Sequence, residues 1–162
     1  MATVRSQEPL LASVLDRLID DEPDVSTEPP WLHAQDLRTF RLAVLRDVEN
    51  LLNTRRAESQ LPEGRPELQQ SVVAYGLPDF TSAGVGSDAE RDQLRRAVKT
   101  AIERFEPRLR DVHVTLHPPP SQFDRTFRLT VDAVLMAAPH PQPITFDTVV
   151  QPSSGTVQVE AK

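Results

Sequence analysis

A proline set between a helical period and a strand period leaves a chain few options, and residues 87–116 carry that arrangement. Ser87 and Glu90 have the spacing of a capping box, in which the serine oxygen accepts the third helical amide and the glutamate reaches back to the serine amide. A helix is predicted to begin there. Leu94, Ala97, Val98, Ala101, Ile102 and Phe105 then recur at the spacing that a period of 3.6 gathers on one face. Pro107 offers no amide hydrogen and its ring drives Glu106 out of the helical region, so the helix ends at about Phe105. Glu106, Pro107 and Arg108 make a stiff corner. Beyond it Val112, Val114 and Leu116 alternate with Asp111, His113 and Thr115, the period of a half-buried strand.

The rest of the chain is placed around this helix, corner and strand. Leu10, Leu11, Val14, Leu15, Leu18 and Ile19 form an apolar stripe over about three turns, and Asp20-Asp21-Glu22-Pro23 ends it. So short a helix is marginal alone in water, so it docks either on its own domain or on another chain. Residues 20–30 hold five acidic side chains and three prolines with a single valine, the composition of a solvated linker. After Trp31, the residues Leu37, Phe40, Val44, Val48, Leu51 and Leu52 predict a long helix to Asn53, with Arg55 and Arg56 near the negative end of its dipole. Residues 68–75 fit either a short helix or an extended piece ending at Gly76. The C-terminal half alternates: Phe127, Leu129, Val131, Ala133 and Leu135, then Ile144, Phe146, Thr148 and Val150, then Val157 and Val159. Helices first and antiparallel strands last give an α+β fold, with N-terminal helices and the central helix on one face of a small sheet. Residues 1–30 are expected to be a helix and linker, and residues 31–162 a single domain.

Composition narrows the function. No apolar run approaches the length of a membrane span, and MATVRSQEPL lacks the features of a secretion signal, so a soluble cytoplasmic protein is expected. The absence of cysteine excludes disulfides, thiolate nucleophiles and cysteine zinc sites. A net charge of -6 argues against general nucleic-acid binding. Fifteen prolines against five glycines favour stiff connections.

Glu103, Glu106 and Asp111 are close in sequence, and glycoside hydrolysis needs two carboxylates, but such residues are frequent on any solvated helix. His113 and His117 lie about 13 Å apart on a strand and cannot share an ion. Gly84-Val85-Gly86-Ser87 lacks the lysine and glycines of a phosphate loop. The cations Arg91, Arg95, Arg96, Lys99, Arg104, Arg108 and Arg110 are mostly balanced by Asp88, Glu90, Asp92 and Glu103 on a solvated face. Arg108 differs: it follows a proline at a rigid corner, so its planar fork is held ready to grip a carboxylate. Glu106 is one mate for it within the chain; a partner protein is the other.

Three runs carry a resemblance: Arg46-Asp47-Val48-Glu49-Asn50-Leu51-Leu52-Asn53-Thr54-Arg55, Ser71-Val72-Val73-Ala74-Tyr75-Gly76-Leu77-Pro78-Asp79-Phe80, and Ile102-Glu103-Arg104-Phe105-Glu106-Pro107-Arg108-Leu109. In this order, from about Leu37 to the C-terminus, the chain resembles the TssE baseplate subunits of bacterial type VI secretion systems. These belong to the phage baseplate-wedge family once labelled lysozyme-like. The resemblance implies a structural subunit, not an enzyme, without metal or cofactor. Its implied partners are wedge subunits of the TssF, TssG and TssK types and the contractile sheath. It implies a place peripheral to a membrane-anchored assembly, with no insertion of its own. Glu106, Pro107 and Arg108 are the implied partner-binding residues, associated in the family with attachment within the baseplate and sheath assembly. A partner strand adding to a sheet edge fits this role, and the strands from Phe127 or Ile144 onward are expected to supply that edge. The rival reading is a peptidoglycan hydrolase with Glu106 as general acid. Few aromatic walls are available to it, and an arginine neighbour favours the charged carboxylate when a general acid must hold its proton.

Overall fold

The computed structural model describes residues 10–11, 13–18, 24, 34–35, 37–56, 64–79, 87–117, 126–137, 140–151 and 156–161. In chain order they form β1 (Leu10–Leu11), α1 (Val14–Leu18), β2 (Ala34–Gln35), α2 (Leu37–Asn53), α3 (Pro66–Gln69), a 3-10 turn (Val72–Ala74) and α4 (Asp88–Phe105). The strands β3 (Leu109–His117), β4 (Phe127–Leu135), β5 (Gln142–Gln151) and β6 (Thr156–Ala161) follow. The fold is α+β, and these last four strands make one antiparallel sheet in the order β3-β4-β5-β6. Among the described residues, no helix is long and apolar enough to cross a membrane.

The alternation in the sequence sets the two faces of the sheet. Phe127, Leu129, Val131, Ala133 and Leu135 of β4 are buried with Ile144 and Phe146 of β5. Leu94, Val98, Ala101 and Ile102 of α4, and Phe40, Val44, Val48, Leu51 and Leu52 of α2, complete the same core. The opposite face carries Arg128, Thr130, Asp132, Thr145 and Asp147, all partly or fully exposed, as an antiparallel sheet covered on one side requires. There Thr130 donates to Asp147 at 2.7 Å and Thr145 to Asp132 at 2.7 Å.

Two local devices place the corner. At the start of α4, Glu90 N–H donates to Ser87 Oγ at 3.3 Å and Ser87 N–H to Glu90 Oε2 at 3.0 Å, the reciprocal box read from the sequence. At its end Glu106 N–H still donates to the Ile102 carbonyl at 2.9 Å, and Leu109 N–H returns to the Glu106 carbonyl at 3.1 Å. The chain thus turns within three residues from α4 into β3. Asp111 and Val112 then stand together opposite Ala133 as a β-bulge, with Asp111 in the left-handed region at φ 52°. The bulge keeps Val112, Val114 and Leu116 pointing at the core side.

The N-terminal stripe folds differently from expectation. Among the described residues the helix spans Val14–Leu18, and Leu10–Leu11 are extended, paired with Ala34–Gln35; Ile19 lies outside the described residues. Ser13 Oγ caps the helix by accepting from Asp16 N–H at 3.1 Å while the Asp16 carboxylate accepts from Ser13 N–H. The acidic linker and Trp31 lie outside the described residues, apart from Asp24. Residues 68–75 take neither single alternative: α3 is followed by the 3-10 turn, and then Gly76 at φ 98° brings Leu77 N–H onto the Thr54 carbonyl at 2.9 Å.

Candidate functional site

The corner is built around a buried charge. Glu106 is only 3% exposed, and both of its carboxylate oxygens are taken by Arg108. Arg108 Nε donates to Oε1 at 2.6 Å, Nη2 to Oε2, and the Arg108 backbone N–H adds a third bond to Oε1 at 3.2 Å. In the chain by itself, the arginine fork closes on its own carboxylate. Pro107, between them, is exposed.

Arg108 also reaches a second carboxylate. Its Nη2 donates to Asp47 Oδ2 of α2 at 2.6 Å, and its guanidinium carbon stands 5.9 Å from the centre of the Phe40 ring. Burial works to lower the arginine pKa, but bonds and charges from Glu106 and Asp47 outweigh it and drive the value up. The other oxygen of Asp47 accepts from Arg46 Nε at 3.2 Å and Nη2 at 2.9 Å. Arg46 Nη2 in turn bonds Asp16 Oδ1 at 2.6 Å, so Asp16, Arg46, Asp47, Arg108 and Glu106 form one continuous ionic chain from α1 to the corner. Burial pushes the Asp16 carboxyl up, yet hydrogen bonds from Ser13 and Arg46 more than offset this and hold it below its ordinary value. Beside the chain lies an open cleft of about 410 Å³, lined by Ser13, Leu15, Asp47, Tyr75, Phe105 and Arg108 among others. Tyr75 and Phe105 meet edge to face there at 5.3 Å.

The two ends of the sheet differ. On β6, Val157 N–H donates to Asn53 Oδ1 at 2.7 Å, Asn53 Nδ2 donates to the Val157 carbonyl at 2.8 Å, and Val159 N–H donates to Glu49 Oε1 at 3.3 Å. Side chains of α2 thus occupy three of the outward backbone groups of this edge, at Val157 and Val159. On the other side, Met136 N–H donates to the Arg108 carbonyl at 2.8 Å, which fixes the parity of the ladder. Even-numbered β4 residues bond toward β3, their partners His113, Thr115 and His117 bond inward, and Val114 and Leu116 turn their amides outward. No described strand lies beyond β3. Along it runs a cleft of about 560 Å³ bounded by Asp88, Arg91, Asp92 and Arg95 of α4 and by residues 113–117. The expectation that the strands from Phe127 or Ile144 supply the free edge is corrected. Among the described residues, β4 and β5 are inner strands and β6 is bonded to α2 at Val157 and Val159, which leaves β3.

The remaining sequence candidates scatter. Glu103 is exposed and pairs with Lys99 at 3.5 Å, and Asp111 sits exposed at the bulge. His113 and His117 are exposed, with His117 Nε2 2.8 Å from Thr130 Oγ1. Arg91, Arg95 and Arg96 pair with Asp88 and Asp92 one turn away, the solvated face that the sequence suggested. Asp47, Glu49 and Asn53 were missed as site residues. For Asp47 a signal existed, since a carboxylate flanking the stripe of Val44, Val48 and Leu51 lies close to the face that α2 buries.

The family model described as "Baseplate wedge protein gp25" matches residues 38–140. Among solved structures, a chain of "The baseplate complex from the type VI secretion system" is similar at 21% identity and a TM-score of 0.49, covering 70% of this chain and 96% of that chain. No curated protein matches. The family match takes in α2, α4, the corner, β3 and β4, well over half of the chain. The chain belongs to the gp25 family of baseplate wedge proteins.

Proposed function

We propose that this chain is a structural subunit of a type VI secretion baseplate wedge, linking wedge to contractile sheath and helping to start sheath polymerisation. One observation carries the reading: of the two sheet edges, β6 has outward backbone groups bonded to Asn53 and Glu49, while β3 turns the backbone amides of Val114 and Leu116 outward along an open cleft. An extended sheath segment adds to β3 by main-chain hydrogen bonds, and the rigid corner just before the strand sets its register. Exposed Pro107, backed by Glu106 and Arg108, forms the attachment to neighbouring wedge subunits of the TssF, TssG and TssK types. In this reading residues 31–162 are the body and residues 1–30 the arm, working in the cytoplasm against a membrane-anchored assembly.

Catalysis is not needed for this role. Glu106 has both oxygens bonded to Arg108 in a buried setting, which supports a structural use over proton donation to a sugar. The test is co-purification of wild type and Leu116→Pro with sheath and wedge subunits, alongside circular dichroism and peptidoglycan release. Leu116 has its amide outward on an edge strand, where proline is tolerated, so the variant is expected to fold, keep the wedge and lose the sheath. Retained sheath binding would contradict the edge assignment. Sugar release by wild type that Glu106→Ala abolishes would make the protein a hydrolase instead.

A further inference from the structure

The segment of β1 and α1 is attached to the body unlike any other element. An amphipathic helix docked for good buries its apolar side, yet Val14, Leu15 and Leu18 are 74%, 52% and 76% exposed. Among the described residues, α1 is held by the Asp16–Arg46 ion pair, with the Asp16 side chain 7% exposed, while β1 is held by its two-residue pairing with β2 and by Leu10, half-buried against the core. A five-residue helix supplies little stability of its own. Yet this weakly held strap sits at the corner. Ser13 and Leu15 form one wall of the 410 Å³ cleft, and Asp16 is the outer end of the ionic chain that leads through Arg46 and Asp47 to Arg108.

We propose that the strap is an autoinhibitory plug, in which Asp16 holds in cis the Arg46 fork that a carboxylate-bearing, apolar-flanked segment of a wedge partner takes in trans. Charge complementarity selects that occupant. With Asp16 withdrawn, the ion-pair partners of Arg46 and Arg108 among the described residues are Asp47 and Glu106, one anion fewer than when the strap is seated, and the Arg46 donor that Asp16 held is released. The cleft beside it offers the half-buried rings of Tyr75 and Phe105 to an apolar neighbour of the incoming carboxylate. The proposal rests on the corner being the wedge attachment, but its test needs no wedge subunit, so the two ideas fail separately.

The probe is a synthetic peptide of residues 10–19, titrated into isotope-labelled full-length chain while the Arg46 and Arg108 guanidinium resonances are followed. In the Asp16→Ala chain the peptide is expected to shift both resonances saturably. Wild type is expected to need at least tenfold more peptide, because its tethered strap competes at high effective concentration. A peptide with alanine at position 16 is expected to give no shift in either chain. Equal binding by wild type and Asp16→Ala, or no saturable shift in either, would overturn the proposal. So would peptide-free dimerisation of Asp16→Ala, which would assign the site to a second copy of the chain.

Discussion

The two edges of the sheet are made from similar alternating strands, and they end in opposite states. β6 is closed because α2 lies beside it and spends Asn53 and Glu49 on its outward backbone groups. Among the described residues no strand covers β3, and α4, with Arg91 and Arg95 paired to Asp88 and Asp92 one turn away, leaves a cleft along it. An exposed edge invites any strand to pair, and closing one of two edges gives an incoming strand one place and one register. The same helix α2 also grips the corner from which β3 begins, through Asp47. One element thus bonds the outward groups of β6 and grips the corner from which β3 begins.

The strongest way to break this contrast is to remove the anchor of the open edge. Arg108→Ala leaves Glu106 buried without its partner, and a loss of about 3–5 kcal/mol is expected in urea unfolding. Exchanging both residues for apolar ones of similar volume should recover most of that loss, since what is costly is the orphaned charge. Unsealing the closed edge comes next. Asn53→Ala removes two bonds to Val157 and is expected to cost about 1–3 kcal/mol, with concentration-dependent self-association by sedimentation as β6 becomes available. A stable, monomeric Asn53→Ala protein would show that the seal is decorative. Beside that edge, Thr148 stands opposite Val159 with its hydroxyl buried and lacking a hydrogen-bond partner. Thr148→Val should therefore raise stability by about 1 kcal/mol in thermal melts, without changing which edge is open.

The smallest effect concerns the strap. Because the folded Asp16 pKa is depressed, its contribution is present above the ordinary carboxylate value of about 3.9 and is lost as pH falls through the lower folded value. Lower amide protection factors in α1, corrected for the intrinsic pH dependence of exchange, are expected below about pH 4, worth less than about 1 kcal/mol, with Arg46 more than a third exposed.

What was legible in the sequence was what is local. The Ser87 box, the helix stop at Phe105 and the strand period after the bulge each depend on residues within one or two turns, and each forms as read. The Glu106–Arg108 pair was visible as one of two options because the residues are two apart at a proline. Asp47 lies 61 residues from Arg108, and Asn53 lies 104 from Val157, separations at which no periodicity reports a contact. The N-terminal stripe misled for a related reason: Leu10 and Leu11 fit a helical period, but pairing with Ala34 and Gln35 draws them into an extended form. Local preference is a weak force, and a distant backbone partner overrides it.

The most direct test of the open-edge account is amide hydrogen exchange at Val114, Leu116, Val157 and Val159, in the free chain and in complex with sheath subunits. The account predicts that Val114 and Leu116 exchange quickly when the chain is alone and become protected by at least tenfold on binding, while Val157 and Val159 are protected throughout. Protection gained at Val157 and Val159 instead, or sheath bound with Val114 and Leu116 unchanged, would contradict it.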